Sequence, residues 1–188
     1  ASMALSNHPR ISSSRKREVA VAAAKLNYVP NSAGRALREQ RSGVIAMVVP
    51  NTGRHLFGHP YFMHLLVGVS DVVEAHDSSV LISTNPDAAH GRGAYGRVLQ
   101  SGAADGAIVA SAAANDPNLG RMVASSLPVV LIGRYPHLPN AVTVGIDDES
   151  ASRLITDHLL VDHGLRRLAH ISGPLNHQTA LDRYAGFR

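Results

Sequence analysis

A chain of 188 residues, 45% of them hydrophobic, can bury one domain-sized core and little more. It contains no cysteine, which excludes a disulfide framework and thiolate chemistry, and no apolar run near the ~18 residues that a spanning helix needs. The net charge of +4 is unevenly spread. Residues 1–42 hold eight basic and two acidic side chains, a net +6, whereas the remainder holds ten and twelve, a net −2. A basic head on a near-neutral body points to a polyanionic partner for the head alone. The opening ASMALSNHPRISSSRKR has no apolar stretch of a secretory signal, so the expected compartment is the cytoplasm.

Ala1–Leu5 reads as the interior of a helix, ended by Asn7-His8-Pro9. The next helix is predicted from Ser12–Ser14 to about Leu26. Val19, Ala22, Ala23 and Leu26, at i, i+3, i+4 and i+7, form its buried stripe. That face is too small for an independent core, so the head is expected to be part of a unit that starts before Ala1. Pro30 stops the helix, and Asn31 can cap a short third one over Ser32–Glu39, with Leu37 its only large apolar side chain. Isolated helices shorter than ~12–15 residues are marginal in water, and Gly34 costs roughly a further 1 kcal/mol relative to Ala. Two readings of this stretch stay open. It is a polar linker with a chance leucine, or a hinge that orders only on DNA, with Leu37 as a minor-groove wedge between Arg35 and Arg38.

From Gly43 a strand–helix alternation sets in. Strands are predicted at Val44–Val49, Val80–Ser83, Ala107–Ala110, Val129–Ile132, Val142–Ile146 and Leu168–Ile171. Helices are predicted near Tyr61–His76, Arg92–Ser101, Asn118–Ser125 and Glu149–His163, and from about Thr179 onward. The strands are continuous apolar runs rather than alternating ones, as a parallel sheet covered on both faces requires. The fold class is therefore α/β, a doubly wound parallel sheet preceded by a small all-α head. Ligands of such sheets gather at the carboxyl ends of the strands.

Three constellations invite enzymatic or metal readings. Gly91-Arg92-Gly93-Ala94-Tyr95-Gly96 is a literal GxGxxG with Asp116 beyond it, but residues 85–90 separate it from the preceding strand, where a dinucleotide fingerprint must follow directly. Of the eleven histidines, His55, His59 and His64 are close in sequence and His158 and His163 are five apart. Neither set has the i, i+4 helical pairing with a third ligand that zinc favours. Asp147-Asp148-Glu149 suits the positive end of a helix dipole. No nucleophile elbow or Walker loop is present, so the reading is a non-enzyme without cofactor or metal.

ALSNHPRIS, VAAAKLNYVPNSAGRALR, VIAMVVPN, HPYFMHLLVGVSD, DGAIVAS, LPVVLIGR, VGIDDESASRLITDHLL and HISGP with its following R-Y-A-G-F occur in this order along the whole chain. Together they resemble the LacI/GalR family of bacterial transcription regulators. ALSNHPRIS and LNYVPN are the most specific of these pieces. The resemblance implies a partial helix-turn-helix head over residues 1–30, a hinge helix and linker over 31–42, and a periplasmic-binding-protein-like effector domain over 43–188. On that pattern the chain starts inside the recognition helix and ends just into the second effector lobe. Ser2 and Met3 would approach bases or phosphates, Asn31 and Arg35 would lie along operator DNA, and Arg38 would sit on its backbone. Leu37 would be the paired wedge of a homodimer. A sugar-like effector would lie in the interlobe cleft against Tyr61 and Phe62, with His177, Thr179 and Arg183 facing it from the second lobe. Two departures stand out. Gly133 stands where the family often has an Asp, and Gly34 where it usually has Ala. The competing reading is a small-molecule binding protein with no DNA role, against which the basic head argues.

Overall fold

The computed structural model describes residues 2–5, 9–28, 41–85 and 92–188. The chain divides into two compact units, residues 1–42 and 43–188.

The first unit contains α1 (Ser2–Leu5) and α2 (Ser13–Lys25), packed on each other. The Ser12 hydroxyl accepts from the Arg15 N–H and starts α2 as the sequence predicts. The expected buried stripe does not form. No residue of α2 is buried, and Leu26 is 78% exposed. The four residues of α1 are too few to cover a two-turn apolar face, so among the described residues Val19 and Ala23 are half-buried and Ala22 and Leu26 exposed.

The second unit is built on five parallel strands, β1 (Val44–Thr52), β2 (Ser79–Asn85), β3 (Gly106–Ala110), β4 (Val129–Ile132) and β5 (Val142–Val144), in the order β2-β1-β3-β4-β5. The central strand β1 pairs on both sides, Met47 lying opposite Ile82 and Ile108. Because successive side chains leave a strand on opposite faces, its uninterrupted run fills two cores. Ala46 and Val48 point to a cluster with Val109, Leu131, Tyr95, Leu119 and Met122. Met47 and Val49 point to the other, with Leu56, Phe62 and Ala110. The first cluster is closed by α5 (Arg92–Ser101) and α6 (Pro117–Val123), the second by α3 (Gly53–Gly58) and α4 (Pro60–Glu74). Beyond β5 come α7 (Asp148–Asp157), a π-helical turn (His158–Asp162) and α8 (Gln178–Phe187).

Three boundaries differ from expectation. The short α3 was not predicted, since glycines at both its ends hide a turn that the Thr52 hydroxyl caps through the His55 N–H. Leu168–Ile171 is not a strand, and Ile171 is 97% exposed. No neighbouring strand among the described residues offers it a ladder, and an apolar run without partners for its backbone does not form β-structure. The helix predicted over Glu149–His163 is α-helical only to Asp157 and then widens.

Candidate functional site

The chain leaves β1 at Pro50–Thr52, turns through α3, and enters α4 with Pro60 in its first turn. The His59 ring caps that helix, its Nδ1 accepting from the Tyr61 N–H at 3.3 Å. Tyr61 and Phe62 follow and part company. Phe62 is only 3% exposed and belongs to the core, whereas Tyr61 is half-exposed. Phe62 meets Tyr61, His55 and His59 edge to face, with ring centroids 5.2, 5.3 and 5.9 Å apart. Phe62 thus lies within the apolar cluster, while Tyr61 keeps part of its ring outside it. The position of Phe62 at the inner side of the first helical turn directs it into the apolar cluster, where it braces the exposed rings.

Asp148 at the start of α7 and Arg183 on α8 lie within electrostatic reach of Tyr61, as His177 does of His55. Asp147 caps α7, accepting from the Ser150 N–H at 2.9 Å and the Ser150 hydroxyl at 2.8 Å. The buried Asp148 accepts from Arg183 Nε at 2.8 Å. Tyr61 is held above its ordinary pKa, chiefly by burial and then by the Asp148 charge, while Arg183 pulls it the other way. The phenol, the carboxylate and the guanidinium therefore share one electrostatic neighbourhood, with Tyr61 kept as a neutral donor.

His177 precedes α8 without capping it. Its pKa lies below the ordinary value, first through burial and then through the repulsion of His55 on α3. A neutral imidazole can both donate and accept. Thr179 occupies the first turn of α8 and is half-buried.

The spacing of Arg183 and Gly186 has a structural cause. A Cβ at Gly186 would stand 2.1 Å from the Glu149 carbonyl oxygen and 2.9 Å from the Arg153 nitrogen. Glycine is what lets α8 lie directly on α7. The Ser152 hydroxyl also donates to the Arg183 carbonyl at 2.6 Å, so backbone and side chain of Arg183 are both fixed by α7.

A second ion pair was not foreseen. Arg134, at the carboxyl end of β4, donates through Nε to Asp182 Oδ2 at 2.9 Å and through its other arm to Oδ1. Gln178 donates to the same carboxylate at 2.7 Å. Burial alone would raise the Asp182 pKa, but the bonds from Arg134 and Gln178 outweigh it, and the net shift is downward. Gly133, in place of the expected acid, has φ +110°. The loop after β3 also reaches the turn that precedes α8, the Ala114 N–H donating to the Asn176 carbonyl at 2.7 Å. Asp148, His55, Arg134 and Asp182 are the residues that sequence reasoning missed. The available signals were the positions of Arg134 and Asp148 at a strand end and a helix start. Nothing in the sequence marks Asp182.

Met3 is half-exposed on α1, which also carries Ser2. Arg10, Arg15, Arg17 and Lys25 are exposed on and before α2. Asn31, Arg35, Leu37 and Arg38 lie outside the described residues, as does Gly91 of the GxGxxG. The rest of that motif lies in α5, and Asp116 is engaged as the cap of α6, accepting from the Asn118 N–H at 2.9 Å.

Residues 42–188 match the family model described as periplasmic binding proteins and sugar binding domain of the LacI family. The chain belongs to the LacI family. Among its relatives, the maltose regulon regulatory protein MalI of Escherichia coli (strain K12) is 30% identical over 188 residues, covering 99% of this chain and 53% of that protein. The HTH-type transcriptional regulator CelR of Thermobifida fusca is 27% identical, covering 100% of this chain and 55% of that protein. This LacI-family chain thus spans about half the length of these relatives. Of solved structures, a CelR–cellobiose complex superposes with a TM-score of 0.71 at 26% identity, over 100% of this chain and 55% of that one. The lac repressor dimer bound to operator and anti-inducer superposes with a TM-score of 0.81 at 20% identity, over 99% of this chain and 55% of that one, a likeness of fold.

Proposed function

We propose that this chain is part of a cytoplasmic transcriptional regulator, a repressor, whose affinity for operator DNA is set by a small, sugar-like effector. The observation that carries the reading is the convergence of Tyr61, His177, Asp148 and Arg183 at the carboxyl end of a parallel sheet. Such an end is where open α/β sheets hold ligands. A polyol suits these groups. The guanidinium donates, the carboxylate accepts, the phenol and neutral imidazole do both, and the Tyr61 ring offers an apolar edge. Thr179 adds a hydroxyl from α8, and Phe62 supports the rings from within the core. With no acid at Gly133, a ligand hydroxyl there would have to be met by another group.

Residues 1–30 are taken as a partial helix-turn-helix head, 31–42 as a hinge and linker, and 43–188 as the effector-binding part. The net +6 of residues 1–42 supports a DNA partner. Ser2 and Met3 are assigned to the DNA face, with Asn31, Arg35 and Arg38 along the duplex and Leu37 as a wedge contributed by each half of a homodimer. A second copy has an apolar surface to use. Val72 of α4 is 60% exposed and lines a groove with Leu65, Val69, Ile108 and Val130. Among the described residues no helix is long and apolar enough to cross a membrane. Effector binding that repositions α8 would change operator affinity, and operator would change effector affinity by the same factor.

The test is fluorescence anisotropy of the full-length gene product on a palindromic operator from its own promoter. A scrambled duplex serves as control, at two salt concentrations and with a panel of sugars. Tight operator binding that one sugar shifts is the expected result. Equal, weak binding to both duplexes would leave a small-molecule binding protein with a charged leader.

A further inference from the structure

His158 and His163 are five residues apart, a spacing that in an α-helix turns their side chains about 140° away from each other. The chain after Asp157 does not stay α-helical. It widens into the π-helical turn His158–Asp162, closed by a bond from the His163 N–H to the His158 carbonyl at 3.3 Å. In that wider turn the two imidazoles fall on one side. Their Nε2 atoms are 3.0 Å apart, their centroids 4.6 Å, and the ring planes stand at 89°. On the far side of His158, Nδ1 lies 2.7 Å from Asp162 Oδ2.

We propose that His158 and His163 form a two-imidazole chelate for a tetragonal divalent transition ion such as Ni2+ or Cu2+, with Asp162 orienting His158 from the outer shell. The separation supports the geometry. Two nitrogens bound at ~2.1 Å and at right angles stand about 3.0 Å apart, whereas the tetrahedral angle favoured by zinc would place them nearer ~3.4 Å. The carboxylate supplies the tautomer. With Nδ1–H donating to Asp162, Nε2 of His158 is left unprotonated with its lone pair available to an ion, the usual arrangement behind a metal-binding histidine. The His158 side chain is 55% exposed, so an ion can arrive with water to fill its other positions. Among the described residues no third protein ligand joins the two Nε2 atoms. Two protein ligands set the affinity in the micromolar range. A bound ion would clamp residues five apart and hold the π turn that follows α7.

The experiment is calorimetric titration of the full-length protein with NiCl2, paired with long-range 15N NMR of the imidazoles. The variants are His158→Gln, His163→Gln, the double variant and Asp162→Asn. None of these touches the residues assigned to effector or DNA. The expected result is one Ni2+ per chain that shifts the Nε2 signals of both residues. Affinity should fall at least about tenfold in each single histidine variant, vanish in the double one, and fall about 10–100-fold in Asp162→Asn. Two results would overturn the site. One is Ni2+ binding of unchanged affinity in the double variant. The other is no uptake by the wild-type protein, with NMR showing only a proton shared between the two rings.

Discussion

Gly186→Ala adds one methyl group where α7 and α8 touch. The Cβ would lie 2.1 Å from the Glu149 carbonyl oxygen, 2.9 Å from the Arg153 nitrogen and 2.9 Å from the Ser152 Cβ. Two of these neighbours are backbone atoms inside a helix, so no rotamer change can make room. The helices must part by roughly an ångström to restore ordinary contact. Overpacking of this kind costs about 1–3 kcal/mol and occasionally more. Helix propensity returns at most ~1 kcal/mol, because alanine is the better helix former. The control is Gly120→Ala in α6, where a Cβ would meet nothing within 4 Å. That change should stabilise by up to ~1 kcal/mol. Thermal denaturation of the full-length protein should therefore move the two variants in opposite directions. At about 2–4 °C per kcal/mol for a chain of this size, the gap is of the order of several degrees. Opening the helix pair also draws the Arg183 backbone from Ser152 and its guanidinium from Asp148, so effector affinity should drop with stability in Gly186→Ala alone. If Gly186→Ala melts at or above the wild-type temperature, as Gly120→Ala should, the close approach does not exist. The account of the R-x-x-G spacing then fails with it.

Other outcomes follow from the same contacts. Arg183→Ala should abolish the effector response while operator binding persists, measured by anisotropy with and without sugar. An undiminished response would retire Arg183 from the site. Leu37→Ala should weaken operator binding far more than binding to a scrambled duplex, and equal loss on both would rule out a wedge. His177 has a folded-state pKa below its ordinary 6.5, so the unfolded chain takes up the proton first as pH falls. Its contribution is fully present above pH 6.5 and is lost as pH drops through the folded value. His177→Gln should show a smaller fall in stability between pH 7.5 and 5 than the wild type, by urea titration, and identical slopes would argue against the buried, neutral ring.

The sheet was legible because its strands are unbroken apolar runs, and only a doubly covered parallel sheet uses such runs. β1 shows why: Ala46 and Val48 serve one core, Met47 and Val49 the other. Leu168–Ile171 has the same composition and failed as a strand, because pairing depends on a neighbour that composition does not reveal. The stripe of α2 failed for a similar reason, since amphipathic spacing marks a face and not what covers it. Among the candidate site residues, Tyr61 and Arg183 are named through the family resemblance. Asp148 and Asp182 could not be assigned their roles, because each acts through a partner 35 or 48 residues away. The His158–His163 pair was read at α-helical pitch, and the π turn reversed the geometry on which that reading depended.

The two ion pairs of α8 bear differently on a ligand. Asp182 is buried and bound by both Arg134 and Gln178, so removing Arg134 would leave a buried carboxylate with Gln178 as its remaining side-chain donor, at a cost of about 1–3 kcal/mol. That pair suits a fixed tie between the end of β4 and α8. Arg183 meets Asp148 through Nε, with over half of its side chain exposed. That exposure lets a ligand reach the guanidinium without breaking the bond to Asp148. The guanidinium is thus held in place before anything binds, which lowers the ordering cost of recognition. A ligand that presents two adjacent hydroxyls to the guanidinium gains most from the arrangement. A strongly anionic ligand gains less, since Asp148 lies beside the same guanidinium and would repel it.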